Sequence, residues 1–276
     1  MTILVTGGTG NIGRLIVQGL AARGERVRVL TRHPSPAELP AGAEHVVGDL
    51  ADPQTDSAVF SGVDRLFLFP AAGDLTAFLS RAGAVEHIVV LSSLAAAGEF
   101  ERDKVSVTGQ HHGAVEAAVR ATGIPSTILR PGTFANNLLF WAYSIRTTGG
   151  VDGPYPSSAQ APVHEKDVAD VAVAALTEQG HDGAIYPLTG PQALTQADQL
   201  AAIGAALGRP LTYRAISPEQ YTATMTQWMD PAYVAMLLRY WAETVDEPDV
   251  VRSSAPITGT SRTLAEWAED HADDFR

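Results

Sequence analysis

Short apolar runs alternate with amphipathic stretches over the first half of the chain. Ile3-Leu4-Val5 is too short for a buried helix and reads as a strand. Asn11 to Arg23 carries Ile12, Leu15, Ile16, Gly19 and Leu20 on one helical face, and Gly24 follows as a left-handed closing residue. Val27 to Leu30, Glu44 to Val47, Arg65 to Phe69, His87 to Leu91 and Ser126 to Leu129 give further strands. Leu75 to Ala82 and Val107 to Thr122 give helices between them. The strands are nearly continuous apolar runs, so both faces of their sheet are covered. Strands separated by helices require parallel pairing and right-handed crossovers. The predicted fold class is therefore α/β, a Rossmann-type doubly wound parallel sheet.

The pattern changes after Gly132. Asn136 to Arg146 reads as a helix, and Gly149 to Pro162, rich in Gly, Pro and Ser, as loop. Asp167 to Thr177 is a helix and Ala184 to Leu188 one more strand. From Thr195 the chain reads helix, short strand (Leu211 to Ala215), then helices through Ser217 to Glu243. This predicts a sheet domain from residues 1–135 and 163–190, and a small, mainly helical cap from 136–162 and 191–276.

The 276 residues are 45% hydrophobic and 18% charged, a globular composition. Nineteen Lys and Arg against 31 Asp and Glu give a net charge of −12, which argues against nucleic acid as the partner. With no Cys, the chain has no disulfide, thiolate nucleophile or iron–sulfur ligand. It shows neither a basic leader nor an apolar run of membrane length, so a soluble cytoplasmic protein is expected.

Thr6-Gly7-Gly8-Thr9-Gly10-Asn11-Ile12-Gly13 lies between a strand and a helix. Gly7, Gly10 and Gly13 suit a tight turn, close approach of backbone to a pyrophosphate, and close helix–strand packing. The helix then turns its free N–H groups, with Thr9, Asn11 and Ile12, toward phosphate. The alternative is a structural turn in a sheet that binds nothing. The second strand ends Leu30-Thr31-Arg32-His33. Arg32 cannot accept a hydrogen bond from a ribose hydroxyl, but it can clamp a 2′-phosphate, which favours NADP(H). Otherwise it is a solvated loop residue. Arg28 either assists it or belongs to the surface. Asp49, in Gly48-Asp49-Leu50, either reaches an adenine amino group or caps a helix near Pro53.

These motifs together resemble the short-chain dehydrogenase/reductase superfamily. Val89 to Ser93, Ile128 to Asn137, and Leu188-Thr189-Gly190-Pro191 look like its atypical, extended NmrA-like branch. That branch includes NADP(H)-dependent quinone and triphenylmethane-dye reductases, isoflavone-reductase-like enzymes and NADP-sensing regulators. The resemblance implies fold and cofactor rather than substrate. Most of the superfamily uses Tyr-x-x-x-Lys on the helix after the fifth strand. Here Thr108 falls at the Tyr position and His112 at the Lys position, and the nearby Lys104 precedes the helix. A Thr hydroxyl is too weak an acid to replace a phenol.

Three readings of the histidines stay open. His112 holds the cofactor ribose while His111 or His112 supplies a proton; His112 holds the ribose with no proton role and His111 is exposed; or no side chain is the acid, and the substrate is protonated internally or through water. A metal site is not expected, because His111 and His112 are adjacent and point to different sides. Ser92 and Ser93 end the fifth strand, where nicotinamide or a substrate carbonyl would lie, or are satisfied strand-end serines. Pro70, Pro131, Thr133 and Phe134 are further candidate cofactor contacts, with Phe134 against the nicotinamide.

Phe134, Asn137, Leu138 and Trp141 recur at helical spacing, as do Tyr221, Met225, Trp228 and Met229, then Tyr233, Leu237, Tyr240 and Trp241. Such stripes are either core or a wall for a flat apolar ligand. The candidate substrate residues are Phe134, Asn137, Trp141, Tyr221 and Trp228. His164 and Asp167 precede a helix, with Asp167 as a cap or first-turn acid. The sequence thus predicts an NADPH-dependent reductase of a flat apolar ketone or quinone. The rivals are a non-catalytic NADP(H) redox sensor and a sugar-nucleotide epimerase or dehydratase, the latter lacking a basic diphosphate cluster.

Overall fold

The structure is a computed structural model and describes residues 1–32, 39–40, 42–52, 55, 57–71 and 75–276. His33 and Pro53 lie outside the described residues. In chain order the elements are β1 (Thr2–Thr6), α1 (Asn11–Ala22), β2 (Arg26–Thr31), β3 (Glu44–Val47), β4 (Arg65–Leu68), α2 (Thr76–Leu79), β5 (His87–Leu91), α3 (Glu101–Lys104), α4 (Val107–Ala121) and β6 (Ser126–Pro131). They continue as α5 (Ala142–Thr148), β7 (Gly150–Gly153), β8 (Ala159–Gln160), α6 (Glu165–Thr177), β9 (Ile185–Leu188), β10 (Leu194–Thr195) and α7 (Gln196–Ala206). The last are β11 (Thr212–Ala215), α8 (Pro218–Met225), α9 (Pro231–Asp246), α10 (Ala255–Thr258) and α11 (Leu264–Asp270).

The chain forms two compact units. The first comprises Met1–Pro131, Glu165–Leu188 and Ser254–Gly259; the second comprises Gly132–His164, Thr189–Ser253 and Thr260–Arg276.

In the first unit seven strands, counted among the described residues, run β3-β2-β1-β4-β5-β6-β9, every neighbour parallel. The chain moves outward from β1 to β3, then returns to the other side of β1 at β4. The order therefore reverses between β1 and β4, and ligands of such sheets bind outside the carboxyl ends at that point. Alternate strand residues feed opposite layers. Leu4, Leu66, Leu68, Ile88 and Val90 pack with Phe78 and Leu79 of α2 and Val115 and Val119 of α4. The other layer is α1 and α6, which approach so closely that a Cβ on Gly19 would lie 2.9 Å from Val173 Cγ2. The doubly wound parallel sheet is the expected one.

The second unit has two small sheets, β7 with β11 in parallel and β8 with β10 antiparallel. Trp267, Phe275, Ile145, Leu200 and Ile203 form its larger core. Tyr221, Met225 and Val234 anchor a smaller one between α8 and α9.

Two expectations are corrected here. The stretch from Gly149 to Pro162 holds strands β7 and β8 rather than loop alone. Gly150 is there for close strand contact, since its Cβ would lie 2.1 Å from the Thr212 carbonyl oxygen. The helix expected from Asn136 to Arg146 begins as 3-10 turns over Ala135–Trp141 and becomes α-helical only in α5.

Candidate active site

The glycine turn follows β1 and opens α1. Gly7 has φ +66, which an L side chain rarely adopts. The Gly10 N–H then donates to the Gly7 carbonyl at 3.0 Å, and the Arg14 N–H to the Gly10 carbonyl at 2.9 Å. Gly13 is required by packing: its Cβ would lie 2.1 Å from the Gly7 carbonyl oxygen. Gly10 is different. It has an ordinary backbone (φ −78), and its Cβ would meet nothing nearer than the Gly7 oxygen at 3.4 Å. Among the described residues no side chain caps α1, and no acid sits in its first turn. Its first N–H groups are thus left for an outside acceptor, with Thr9, Gly10 and Asn11 exposed around them. These N–H groups can donate to an anion such as a pyrophosphate, and no protein atom fills the space at the Gly10 Cβ position nearer than 3.4 Å.

Along the same edge, Thr6 ties β1 to β4. Its hydroxyl donates to the Phe67 carbonyl at 3.1 Å and accepts from the Phe69 N–H at 2.7 Å. Arg32, just past β2, is exposed. Arg28 is instead committed within the fold, to Glu44 (2.9 Å) and the carbonyls of Val59 (2.9 Å) and Ser61 (2.8 Å). Asp49 accepts from the Ala51 N–H at 3.0 Å, while Thr55 bonds its backbone on both sides. Leu50 is buried beside it.

On α4, His111 is half-buried rather than exposed, with Nε2 3.2 Å from the Pro70 carbonyl oxygen. Contrary to expectation, the two histidine rings meet edge to face, centroids 5.3 Å apart. The His111 ring is the one set against the loop after β4. His112 Nδ1 is buried and has no hydrogen-bond partner among the described residues. Burial, then the neighbouring His111, lower its pKa from 6.5 to about 4 against the pull of Glu116. The ring is therefore neutral at pH 7 and is no proton reservoir there. A two-dimensional NMR titration will show one imidazole, assigned by its loss in His112→Gln, still unprotonated at pH 5. Because the unfolded ring takes its proton first, this group costs stability as pH falls from 6.5 toward 4 and nothing above that window. Thr108 lies in the first turn of α4, and Lys104 pairs with Glu101 at the end of α3.

A cluster that the sequence reading missed lies beneath these residues. Glu116 of α4 is 1% exposed. Its Oε1 accepts from Ser92 Oγ at 2.6 Å and Arg130 Nε at 2.8 Å; its Oε2 accepts from Arg130 Nη2 and Arg120 Nη2, both at 2.8 Å. Burial opposes ionisation, but the donors from Arg130, Ser92 and Arg120 outweigh it and hold the carboxyl below its ordinary range. The available signal was Arg130 itself, a charge inside an apolar strand, which demands a buried partner. Ser93 caps the following turn by accepting from the Ala95 N–H at 3.3 Å. Pro131 ends β6.

In the second unit, Phe134 is half-buried and bridges to Val163, while the Thr133 hydroxyl lies 3.1 Å from the Tyr240 hydroxyl. Asn137 is exposed; its neighbour Asn136 accepts from Trp267 Nε1 at 3.0 Å. Trp141 packs edge-on to Tyr213, and Tyr221 edge-on to Trp241. Trp228 is 81% exposed. His164 is buried 3.2 Å from Asp270, and Asp167 is a buried first-turn acid of α6. Among the described residues no group of three His, Cys, Asp or Glu could hold a metal ion, and no helix is long and apolar enough to cross a membrane.

A family model described as NAD(P)H-binding matches residues 7–179. The chain belongs to this NAD(P)H-binding family. Its cofactor is a nicotinamide dinucleotide, and it is an oxidoreductase. This NAD(P)H-binding chain is 36% identical over 282 residues to (4-alkanoyl-5-oxo-2,5-dihydrofuran-3-yl)methyl phosphate reductase of Streptomyces griseus, spanning 99% of each chain. It is 36% identical over 286 residues to the NAD(P)H azoreductase of Xenophilus azovorans, again spanning 99% of each. Its fold matches an NADPH-dependent quinone oxidoreductase of Escherichia coli, solved with NADPH, at a TM-score of 0.80 and 23% identity, covering 97% of this chain and 99% of that one.

Proposed function

We propose that this oxidoreductase uses NADPH to reduce flat, conjugated acceptors, with quinones as the substrate class that fits best. The observation that carries the reading is that α4 offers no strong acid: Thr108 stands in its first turn, and burial, then His111, favour the neutral form of the His112 ring. Reducing a simple ketone leaves an alkoxide, which demands a strong local acid. Hydride addition to a quinone leaves a phenolate-type anion near the pKa of a phenol, about 10, which water protonates. The bound nicotinamide supplies the hydride. The chain's own task is then position and orientation. The relatives support acceptors of this kind: an azo compound, a furanone and, for the fold, a quinone stand in their names. They favour a reductase over a sensor or a sugar-nucleotide enzyme.

Thr9, Gly10, Asn11 and Ile12 hold the pyrophosphate, with Gly7 and Gly13 shaping the turn. Arg32 pairs with the 2′-phosphate, and Asp49 and Leu50 border the adenine. Pro70 and His112 line the ribose, and Ser92 stands at the nicotinamide end.

The test is NADPH oxidation, followed by absorbance, against a panel of quinones and aromatic ketones. Quinones are expected to turn over and simple ketones not. Arg32→Ala should raise the KM for NADPH about 10- to 100-fold and leave NADH unchanged, the range of a lost charge-assisted pair. NADPH binding without turnover on any acceptor would overturn the reading.

A further inference from the structure

Phe69 is the first residue past β4 and is 42% exposed. A lone apolar side chain at the surface is ordinary. This one is set apart by where it stands and by how firmly it is held. It lies at the carboxyl end of β4, next to the reversal of strand order, on the edge where ligands of such sheets bind. The glycine turn is its neighbour: a Cβ on Gly7 would lie 3.0 Å from both Cβ and Cγ of Phe69. Its N–H donates to the Thr6 hydroxyl at 2.7 Å, and its carbonyl accepts from the Ala71 N–H at 2.9 Å. The next carbonyl, that of Pro70, lies 3.2 Å from His111 Nε2. Bonds on either side thus fix an exposed aromatic residue against the turn at which the match to the NAD(P)H-binding family begins.

We propose that Phe69 is a cofactor-binding residue: its ring is the apolar wall on which the nicotinamide half of NADPH rests beside the pyrophosphate, and binding covers it. This rests on the reading that the dinucleotide lies across the switch point. The strand order divides the labour. Arg32, past β2, stands on one side of β1 with the adenosine half; Phe69, past β4, stands on the other. Ribose and nicotinamide both present carbon-rich faces. A Phe ring whose backbone is already fixed gains contact with them at little cost in freedom.

The test compares two ligands. NADPH binding is followed by the fluorescence of its nicotinamide. Adenosine 2′,5′-bisphosphate, which keeps the 2′-phosphate but lacks the nicotinamide half, is followed by calorimetry. Phe69→Ala should weaken NADPH about tenfold and leave the bisphosphate unchanged, while Phe69→Leu, which keeps an apolar side chain, should lose no more than about threefold. Arg32→Ala should instead weaken both ligands. NADPH binding in Phe69→Ala equal to that of wild type overturns the proposal. So does an equal loss of both ligands, because the ring would then act by shaping the glycine turn. Should the alanine variant not fold, wild type decides by NMR. NADPH should shift the Phe69 ring signals, assigned by their loss in Phe69→Leu, and the bisphosphate should not; ring signals that NADPH leaves in place overturn the proposal. If wild type still binds NADPH and reduces quinones, only this inference falls. If wild type does not bind NADPH at all, the inference and the reductase reading fall together.

Discussion

Gly13→Ala should cost stability and cofactor binding together, whereas Gly10→Ala should cost binding alone. The two glycines stand three residues apart in one turn, yet the space around them differs. A Cβ on Gly13 would lie 2.1 Å from the Gly7 carbonyl oxygen and 2.8 Å from Gly8 Cα, both backbone atoms that cannot step aside. Either α1 moves off β1 or the turn opens. Overpacking of that kind costs about 1–3 kcal/mol or more, and at this chain length each kcal/mol lowers Tm by about 2–4 °C. Gly10 has an ordinary φ and its nearest protein atom is 3.4 Å from the Cβ position. Its alanine variant should melt within about 1 °C of wild type and bind NADPH at least about tenfold more weakly, a loss of about 1.4 kcal/mol. Calorimetry and a binding titration check the pair. Equal melting temperatures for both variants would remove the distinction between a packing glycine and a binding glycine.

Removing the Glu116 carboxylate should be the most destabilising single change in the first unit. Glu116→Ala leaves the Arg130 guanidinium, itself largely buried, facing an empty space, and it strips Ser92 and Arg120 of their acceptor. Breaking a buried pair by removing one partner typically costs about 3–5 kcal/mol, because an uncompensated charge remains. Urea unfolding should report a loss of that order. The pH response has a definite sign. Glu116 is held below the ordinary carboxylate range, so its contribution is present above that range and is lost as pH falls through its folded pKa. Wild type should therefore shed this stability only at acid pH, and Glu116→Gln should lack that acid limb. A variant as stable as wild type in urea would show that the four bonds offset no more than the burial of the charges.

The sheet was legible because its signal is local. Ile3-Leu4-Val5 and His87 to Leu91 are apolar runs with punctuation on both sides, and Gly7, Gly10 and Gly13 stand at the spacing a strand-turn-helix needs. The strands β7 and β8 were not legible. Gly150 and Gly153 look like turn residues, and only their partners Thr212 and Ala215, some sixty residues later, make them strand. The Ser92, Glu116 and Arg130 cluster was hidden for the same reason. Its members are spread along the sequence, and burial alone converts a routine helix glutamate into the acceptor for a strand arginine. His112 was found by position, but its low pKa comes from burial, which no spacing reports. The neutral ring changes the chemistry that the site can support.

The larger core of the second unit is closed by Trp267 and Phe275, and Trp267 Nε1 reaches back to Asn136 across 131 residues. During synthesis, therefore, Leu138, Ile145 and Val151 emerge from the ribosome with their apolar faces uncovered. Their cover stays incomplete until residues near 275 have been added. The first unit can assemble β1 to β6 well before that moment. Translation thus leaves the second unit as the part of this protein that must be shielded from aggregation, and a stop codon that removes α11 should yield insoluble chain rather than a reductase with a missing tail.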